Sequence, residues 1–305
     1  MVVVGWHRRR QWCPSCFVPN ARPKVESVAE APALWTYFLL IPLGVAIATY
    51  GTLIGAGGGI LIVPALLLLY PYESPNVIAS ISLAVIFFNA ISGTVAYGHM
   101  HRIDYRAGLL FAAAAVPAGF LGAYVTSFLS RRAFDLVFGG VVLALGTFIF
   151  RRPAPGDAHH EATRHETTHR LVDFKGTSFI YAFSNRRGVL LSFGIGLVSS
   201  MLGIGGGPFY VAMLVYPLHF PLHVATATTQ FMLMIISLSW SSAHFIAGGF
   251  GPGLYRTLFL AVGVTVGAQV GARLSQRIAG TIISRIMAAG LLLIGVRLVI
   301  HALQN

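Results

Sequence analysis

Two glycine clusters interrupt the apolar segments of this sequence and limit what it can fold into. The first, residues 54–60 (IGAGGGI), lies inside an apolar run of 37 residues, Leu34–Tyr70. One helix of that length would extend about 55 Å, whereas the hydrocarbon core of a bilayer is about 30 Å thick. Because glycine is a poor helix former and adopts backbone conformations that a helix forbids, the run is predicted to break at the cluster.

A second cluster, residues 202–208 (LGIGGGP), lies in the second half of the chain. Each break would leave a half-length helix whose first turn exposes unpaired N–H groups at the positive end of the helix dipole. A bilayer tolerates such backbone only where protein encloses it or where it lines a wet cavity. Two breaks, one in each half, are typical of a transporter binding site and favour an anion there. Close helix packing is the alternative explanation of the glycines.

The composition indicates a membrane protein. Of the 305 residues, 56% are hydrophobic and only 10% are charged, whereas soluble domains carry about 25% charged residues. The net charge of +12 does not indicate a nucleic-acid partner, because lysine and arginine lie at segment ends and in loops, as the positive-inside rule expects. The sequence therefore predicts an all-α integral membrane protein whose partners are the lipid bilayer and a small anionic substrate, without nucleic acid.

The chain divides into four predicted parts. They are a polar, basic N-terminal tail at 1–33, a first membrane repeat at 34–150, a polar linker at 151–187 and a second membrane repeat at 188–303. Each repeat holds about four helical segments, and a glycine-broken helix opens each one. Most basic residues lie in the tail and the linker, so both are predicted to face the cytoplasm, with the chain in the cell membrane.

Matching landmarks support the two repeats. Gly55 matches Gly203 at an offset of 148 residues, and Tyr105-Arg106 matches Tyr255-Arg256 at an offset of 150. If the broken helix crosses the membrane completely, the repeats are parallel; if it re-enters, they are inverted. The sequence leaves both arrangements open.

The cysteines and the linker histidines do not indicate a metal or a cofactor. Cys13 and Cys16 form the only cysteine pair, without a second C-x-x-C or a βαβ context, so an incidental place in the tail is favoured over a redox or metal role. The linker carries His159, His160, His165 and His169. A solvated linker is predicted there rather than a metal site, although the last two histidines would be close enough for a metal if helical.

The glycine motifs resemble those of a known transporter family. GAGGG at 55–59 with Pro64, and GIGGG at 203–207 followed by Pro217, Pro221 and ATATT at 225–229, are similar to the paired motifs of the sulfite exporter TauE/SafE family. The resemblance covers about residues 34–303. It implies export of sulfite or of a sulfur-containing organic anion. The first half has ASIS at 79–82 where the second half is rich in threonine, so the two halves need not contribute equally to a ligand shell.

Short hydroxyl and amide side chains follow each break at positions predicted to lie within the membrane. Such donors bind an oxyanion without trapping it by full charge pairing. Hydrogen bonding between or within helices is the alternative. The candidate substrate-binding residues are Gly57, Gly58, Gly59, Ser80, Ser82 and Asn89 in the first half and Gly205, Gly206, Gly207, Thr226, Thr228, Thr229 and Gln230 in the second.

Proton coupling and catalysis have fewer candidates. No Asp or Glu lies deep within a predicted span, and Asp104 is close to an end, so His99 and His244 are the possible proton relays. No Walker motif is present, and Ser239, Ser241 and Ser242 near His244 lack a G-x-S-x-G context, so no catalytic residue is predicted. The sequence predicts a secondary transporter that moves a small anion by alternating access. An anion channel, a membrane accessory protein and an intramembrane enzyme are the alternatives.

Overall fold

The computed structural model describes residues 37–70, 73, 75–126, 131–151, 167–174, 176–201, 203–246 and 253–304. Within these ranges the chain is mostly helical, as predicted. The helices are α1 (Leu40–Leu53), α2 (Gly59–Leu69), α3 (Pro75–His99), α4 (Tyr105–Thr126), α5 (Arg131–Arg151), α6 (Asn185–Met201), α7 (Gly207–Val215), α8 (Leu222–Ile246), α9 (Leu254–Ser275) and α10 (Gly280–Gln304). Two strands, β1 (Thr167–Val172) and β2 (Ser178–Phe183), lie between α5 and α6.

Several helices can cross a membrane. Among the described residues, α3, α4, α8 and α9 each contain a stretch long and apolar enough to span a bilayer. Large apolar side chains remain exposed on the outer surfaces of the helices, as at Leu109, Val262 and Leu293. Lipid solvates such a surface, whereas water would not.

Both apolar runs break at the glycine clusters, which confirms that prediction. α1 ends at Leu53 and α2 begins at Gly59, while α6 ends at Met201 and α7 begins at Gly207. Six cluster glycines have φ between +65° and +83°, the left-handed region that favours glycine; they are Gly55, Gly57, Gly58, Gly203, Gly205 and Gly206. The backbone of each break therefore requires glycine.

The first broken pair, α1 and α2, begins and ends on the same face of the molecule. Tyr37, just before α1, stacks on Phe259 of α9 with ring centroids 5.8 Å apart. Arg256 lies in the first turn of α9. Its guanidinium carbon stacks over the ring of Tyr70, just after α2, 3.7 Å from the ring centroid. Both ends of the pair are therefore beside the start of α9. The other end of α9 lines a cleft together with Phe174, which lies between β1 and β2. Because α9 is long enough to span the membrane, its start lies on the side away from the strands. We call the side that carries β1 and β2 the linker face, and the side where α1 begins and α2 ends the opposite face.

The second broken pair, α6 and α7, begins and ends at the linker face. α6 starts two residues after β2. Phe220, which follows α7, packs on Tyr181 of β2 with ring centroids 4.5 Å apart. The two pairs therefore re-enter from opposite faces, as inverted repeats do. This geometry selects the re-entrant alternative that the sequence left open, while the internal repeat itself stays a prediction.

The two breaks meet inside the molecule. A Cβ on Gly59 would overlap the carbonyl of Ile204, and a Cβ on Gly207 would overlap that of Ala56. The close packing that was the alternative explanation of the glycines is thus present in this conformation. Binding of a ligand beside the breaks is a separate property that packing does not test.

A β-hairpin lies within the segment predicted as a polar linker. β1 and β2 pair antiparallel, with Thr167 opposite Phe183 and Val172 opposite Ser178. Tyr181 and Phe183 are buried, and Phe183 packs edge-on against Phe111 of α4. The predictions of an all-α chain and of a solvated linker are wrong for these residues. The aromatic and β-branched residues of β2 favour a strand, and the charged and histidine residues around them masked that pattern.

Candidate functional site

All thirteen residues predicted to bind substrate are buried. The seven polar ones, on α3 and α8, are 0% exposed. Each break lies against the polar helix of the other half: a Cβ on Gly55 would lie 2.7 Å from the Cα of Thr226, and one on Gly203 would lie 2.8 Å from the Cβ of Ala79, next to Ser80. The fold thus brings donors from both halves close to both breaks.

A polar cluster lies beside the first break. Thr52 at the end of α1 donates a hydrogen bond of 3.0 Å to Oδ1 of Asn89. Gly93 leaves room for the side chain of Gln230, whose Oε1 lies 3.2 Å from the position a Cβ would take there. Within the described part of the chain, Nδ2 of Asn89 and both polar atoms of the Gln230 amide have no hydrogen-bond partner. Leaving a buried polar group unpaired costs about 1–3 kcal/mol, so these groups are suited to a ligand or to water.

Three buried hydroxyls also lack a hydrogen-bond partner among the described residues. They belong to Ser82 on α3, Thr229 on α8 and Ser199 on α6. Ser199 lies beside Gly206, in the second break, 2.8 Å from where a Cβ would be. Sequence reasoning missed Ser199 and Thr52 because both precede their glycine cluster, and only residues after each break were considered.

Two of the predicted threonines have protein partners. Thr226 donates to the carbonyl of His223 at 3.1 Å, within its own helix, which is the alternative that the sequence left open. Oγ1 of Thr228 accepts a hydrogen bond of 3.1 Å from the backbone N–H of Asp104. Ser80 is buried on α3 and has an interaction of its own. The predicted set therefore divides into residues with partners and residues with unpaired atoms.

Asp104 is a buried carboxylate that sequence reasoning passed over as close to a span end. Its Oδ1 accepts from the N–H of Ala107 at 3.0 Å, which caps the start of α4. Its Oδ2 accepts from the hydroxyl of Tyr181 at 2.8 Å and lies 2.9 Å from Nδ1 of His169. Burial, and then the neighbouring Asp104 carboxylate, raise the pKa of Tyr181 far above its ordinary value, so Tyr181 remains a hydrogen-bond donor near neutral pH.

A buried ion pair fastens the hairpin to the loop between α3 and α4. Nε and Nη2 of Arg102 lie 2.8 and 2.7 Å from Oδ2 of Asp173, which follows β1. The N–H of Phe174 donates to the carbonyl of Met100 at 3.2 Å. The hairpin is therefore joined to this loop both through side chains and through the backbone.

The two arginines that match in the repeats have different surroundings. Arg106 is exposed and lines a cleft of about 490 Å³ at the linker face, together with Asp104, His169 and Arg170. Arg256, at the opposite face, forms an ion pair of 2.7 Å with Glu73. Arg106 therefore shares an open cleft with the Asp104 carboxylate, whereas Arg256 is paired directly with Glu73.

The two predicted proton relays lie at the ends of their helices. His99 is exposed at the end of α3 and lines another cleft with Arg273 and Gln276. The backbone of His244 lies near the end of α8, and its side chain is outside the described residues. Their roles as relays stay predictions.

The enzyme alternative finds no support in the serines near His244. Ser239 donates to the carbonyl of Ile235 at 3.0 Å, and Ser242 donates to that of Ser239 at 2.8 Å. Both hydroxyls thus bond to their own helix. Over the described ranges, no three His, Cys, Asp or Glu side chains are grouped to hold a metal ion. Cys13, Cys16, His159, His160 and His165 lie outside those ranges.

Comparisons with known proteins agree with this architecture. The chain is 31% identical to the "Probable membrane transporter protein YunE" of Bacillus subtilis (strain 168), over 70% of this chain and 80% of the relative. It is 26% identical to the "Probable membrane transporter protein YdhB" of the same strain, over 65% of this chain and 71% of the relative. No solved structure matches the chain.

Residues 40–298 match the family described as sulfite exporter TauE/SafE. That range contains both broken helix pairs and both polar helices, α3 and α8. The family and the relatives indicate a multi-pass membrane transporter and not an enzyme. The chain belongs to the sulfite exporter TauE/SafE family.

Proposed function

We propose that this membrane transporter exports a small oxyanion, sulfite or a sulfur-containing organic anion, by alternating access. The observation that carries the proposal is the meeting of two glycine breaks from opposite faces beside buried donors that lack a partner within the described chain. The family's description supplies the class of anion. The basic N-terminal tail and the linker face are proposed to be cytoplasmic.

The donors suit an oxyanion. Hydroxyls of Ser82, Ser199 and Thr229 and the Asn89 amide can each donate one or two hydrogen bonds, and none carries a full charge that would hold the ion permanently. The N-termini of α2 and α7 begin at the breaks. Each contributes a partial positive charge of about half a unit. Two such termini, with neutral donors around them, offset part of the cost of dehydrating an anion.

The packing of the helices suggests how access alternates. α1 packs on α9, where Gly263 and Gly267 lie against the carbonyls of Ile41 and Val45. α6 packs on α4, where Gly196 lies against the backbone of Ala115. Each broken pair is thus fastened to a helix of the other half. Movement of one such unit against the other would separate the breaks and open the site to one face at a time.

Thermal unfolding of the purified protein tests the proposal. Sulfite, sulfate, thiosulfate and an organic sulfonate are added in turn, with chloride at equal ionic strength as the control. A bound anion raises the unfolding temperature, because a ligand at 100 times its Kd stabilises the folded state by about 2.7 kcal/mol. Flux of the stabilising anion into proteoliposomes should saturate and show counterflow. If none of these anions stabilises the protein or crosses the membrane, the proposal is wrong.

A further inference from the structure

A second polar cluster lies where the hairpin covers the linker face. The Asp104 carboxylate is held by Tyr181 and His169, one from each strand, and by the N–H of Ala107. It is only 8% exposed. The backbone N–H of the same residue donates to Oγ1 of Thr228. One residue therefore joins the hairpin to the polar helix of the candidate substrate site.

We propose that Asp104, His169 and Tyr181 form a proton-binding site that couples a proton to transport of the anion, an inference that rests on the function proposed above. Asp104 holds Nδ1 of His169 at 2.9 Å, so Nε2 is the atom that gains or loses the proton. A proton taken from water in the cleft turns the histidine–carboxylate hydrogen bond into an ion pair. Its return to water reverses the step, and no other bond changes.

The surrounding groups leave this role to histidine. Tyr181 stays protonated near neutral pH because of its raised pKa, and Arg102 is paired with Asp173. Histidine is the side chain type that changes charge near neutral pH. Tyr105, Arg106 and Arg170 line the cleft beside Asp104. His101 is exposed in the loop that carries Asp104, and His223 lies at the start of α8.

The position of the cluster explains how the proton and the anion would be linked. With His169 charged, the ion pair to Asp104 holds the hairpin on the loop before α4 and keeps the N–H of Asp104 on Thr228. With His169 neutral, the hairpin is held less tightly. The proton and the anion then favour the same closed state of the linker face, which is the condition for coupling between two ligands. His99 is exposed at a different cleft, and Asp104, His169 and Tyr181 are not among the described residues that line it.

Hydrogen exchange of the hairpin amides, Thr167–Phe183, tests proton binding without any anion. We compare the full-length protein at about pH 5.5 and about pH 7.5, on either side of the reference histidine pKa of ~6.5, after correction for intrinsic exchange. The wild type should exchange more slowly at the lower pH. His169→Gln, which retains a hydrogen-bond donor and cannot become charged, should lose the difference, and His99→Gln should retain it. An equal pH effect in His169→Gln and in the wild type would overturn the proposal.

Tyr181→Phe provides a second test that keeps the histidine. Removal of one donor from Asp104 concentrates the carboxylate charge on His169, so the midpoint of the pH effect on hairpin exchange should move to higher pH. A midpoint that does not move would show that the three side chains do not act together. If His169→Gln fails to fold, Tyr181→Phe still tests whether a proton binds at this cluster.

Calorimetry tests the coupling itself. Binding of thiosulfate or of an organic sulfonate, neither of which titrates in this range, is measured in two buffers of different ionisation enthalpy. Wild-type protein should take up about one proton per anion between the two pH values around the histidine reference pKa, and His169→Gln should take up none. Anion binding without proton uptake in the wild type would contradict the coupling. If the wild type binds none of the anions, the proposed function fails, while the exchange experiment still decides whether a proton binds at His169.

Discussion

The carbonyl oxygen of Ala56, in the first glycine break, lies directly against Gly207, the first residue of α7. Its counterpart is the carbonyl oxygen of Ile204, which lies against Gly59, the first residue of α2. Each half-helix therefore begins where the backbone of the other break touches it. The two breaks hold each other in this conformation, and a change at either one acts on both.

Substitution of Gly207 by alanine should destabilise the protein. The new Cβ would overlap the Ala56 backbone, and overpacking of this kind costs about 1–3 kcal/mol or more. Gly194→Ala is the matched control, because it lies in the adjacent helix α6 with nothing within 4 Å of a Cβ. That change should stabilise by about 0.5–1 kcal/mol. Thermal unfolding in detergent compares the two, and equal unfolding temperatures would contradict the close contact.

The raised pKa of Tyr181 predicts a loss of stability in alkali. The folded chain retains the phenol proton at a pH where the unfolded chain, with a tyrosine pKa of about 10, releases it. The free energy of unfolding therefore falls as the pH rises above about 10. Tyr181→Phe should reduce this slope, whereas Tyr255→Phe, at an exposed tyrosine, should not. Denaturant unfolding between about pH 9 and 11 measures the slopes; identical slopes in all three proteins would contradict the prediction.

The breaks could be predicted from the sequence because a run of 37 residues exceeds the membrane and contains three consecutive glycines. The burial of Asn89 and Gln230 followed from their places in apolar segments. Asp104 could not be recognised in this way, since Tyr181 lies 77 positions further along the chain and its strand was hidden in a charged segment. Only packing between distant helices, such as α1 on α9, shows whether a broken helix crosses or re-enters.

Re-entry predicts which ends of the broken pairs share a side of the membrane. In a protein whose native cysteines are replaced by serine, Phe38→Cys and Glu73→Cys mark the two ends of the first pair. Arg187→Cys and His219→Cys mark those of the second. A membrane-impermeant thiol reagent should label the first two positions from one side and the last two from the other. Labelling of Phe38→Cys and Glu73→Cys from opposite sides would show that the first pair crosses fully.

The unpaired hydroxyls predict an anion site shared by both halves. Ser82→Ala on α3 and Thr229→Val on α8 each remove a buried oxygen without a partner among the described residues. The fold should therefore lose little stability, whereas loss of a hydrogen bond to a charged ligand costs about 1.5–3 kcal/mol, or roughly ten- to hundredfold in affinity. Thr257→Val is the control, because that hydroxyl donates to the Gly253 carbonyl of its own chain at 2.9 Å. It should lower stability slightly and leave affinity unchanged. Thermal shifts measured over a range of anion concentrations give the affinity of each variant. If Ser82→Ala binds the anion as tightly as the wild type and only Thr229→Val is weakened, the first half does not contribute this donor. The shared site would then be wrong.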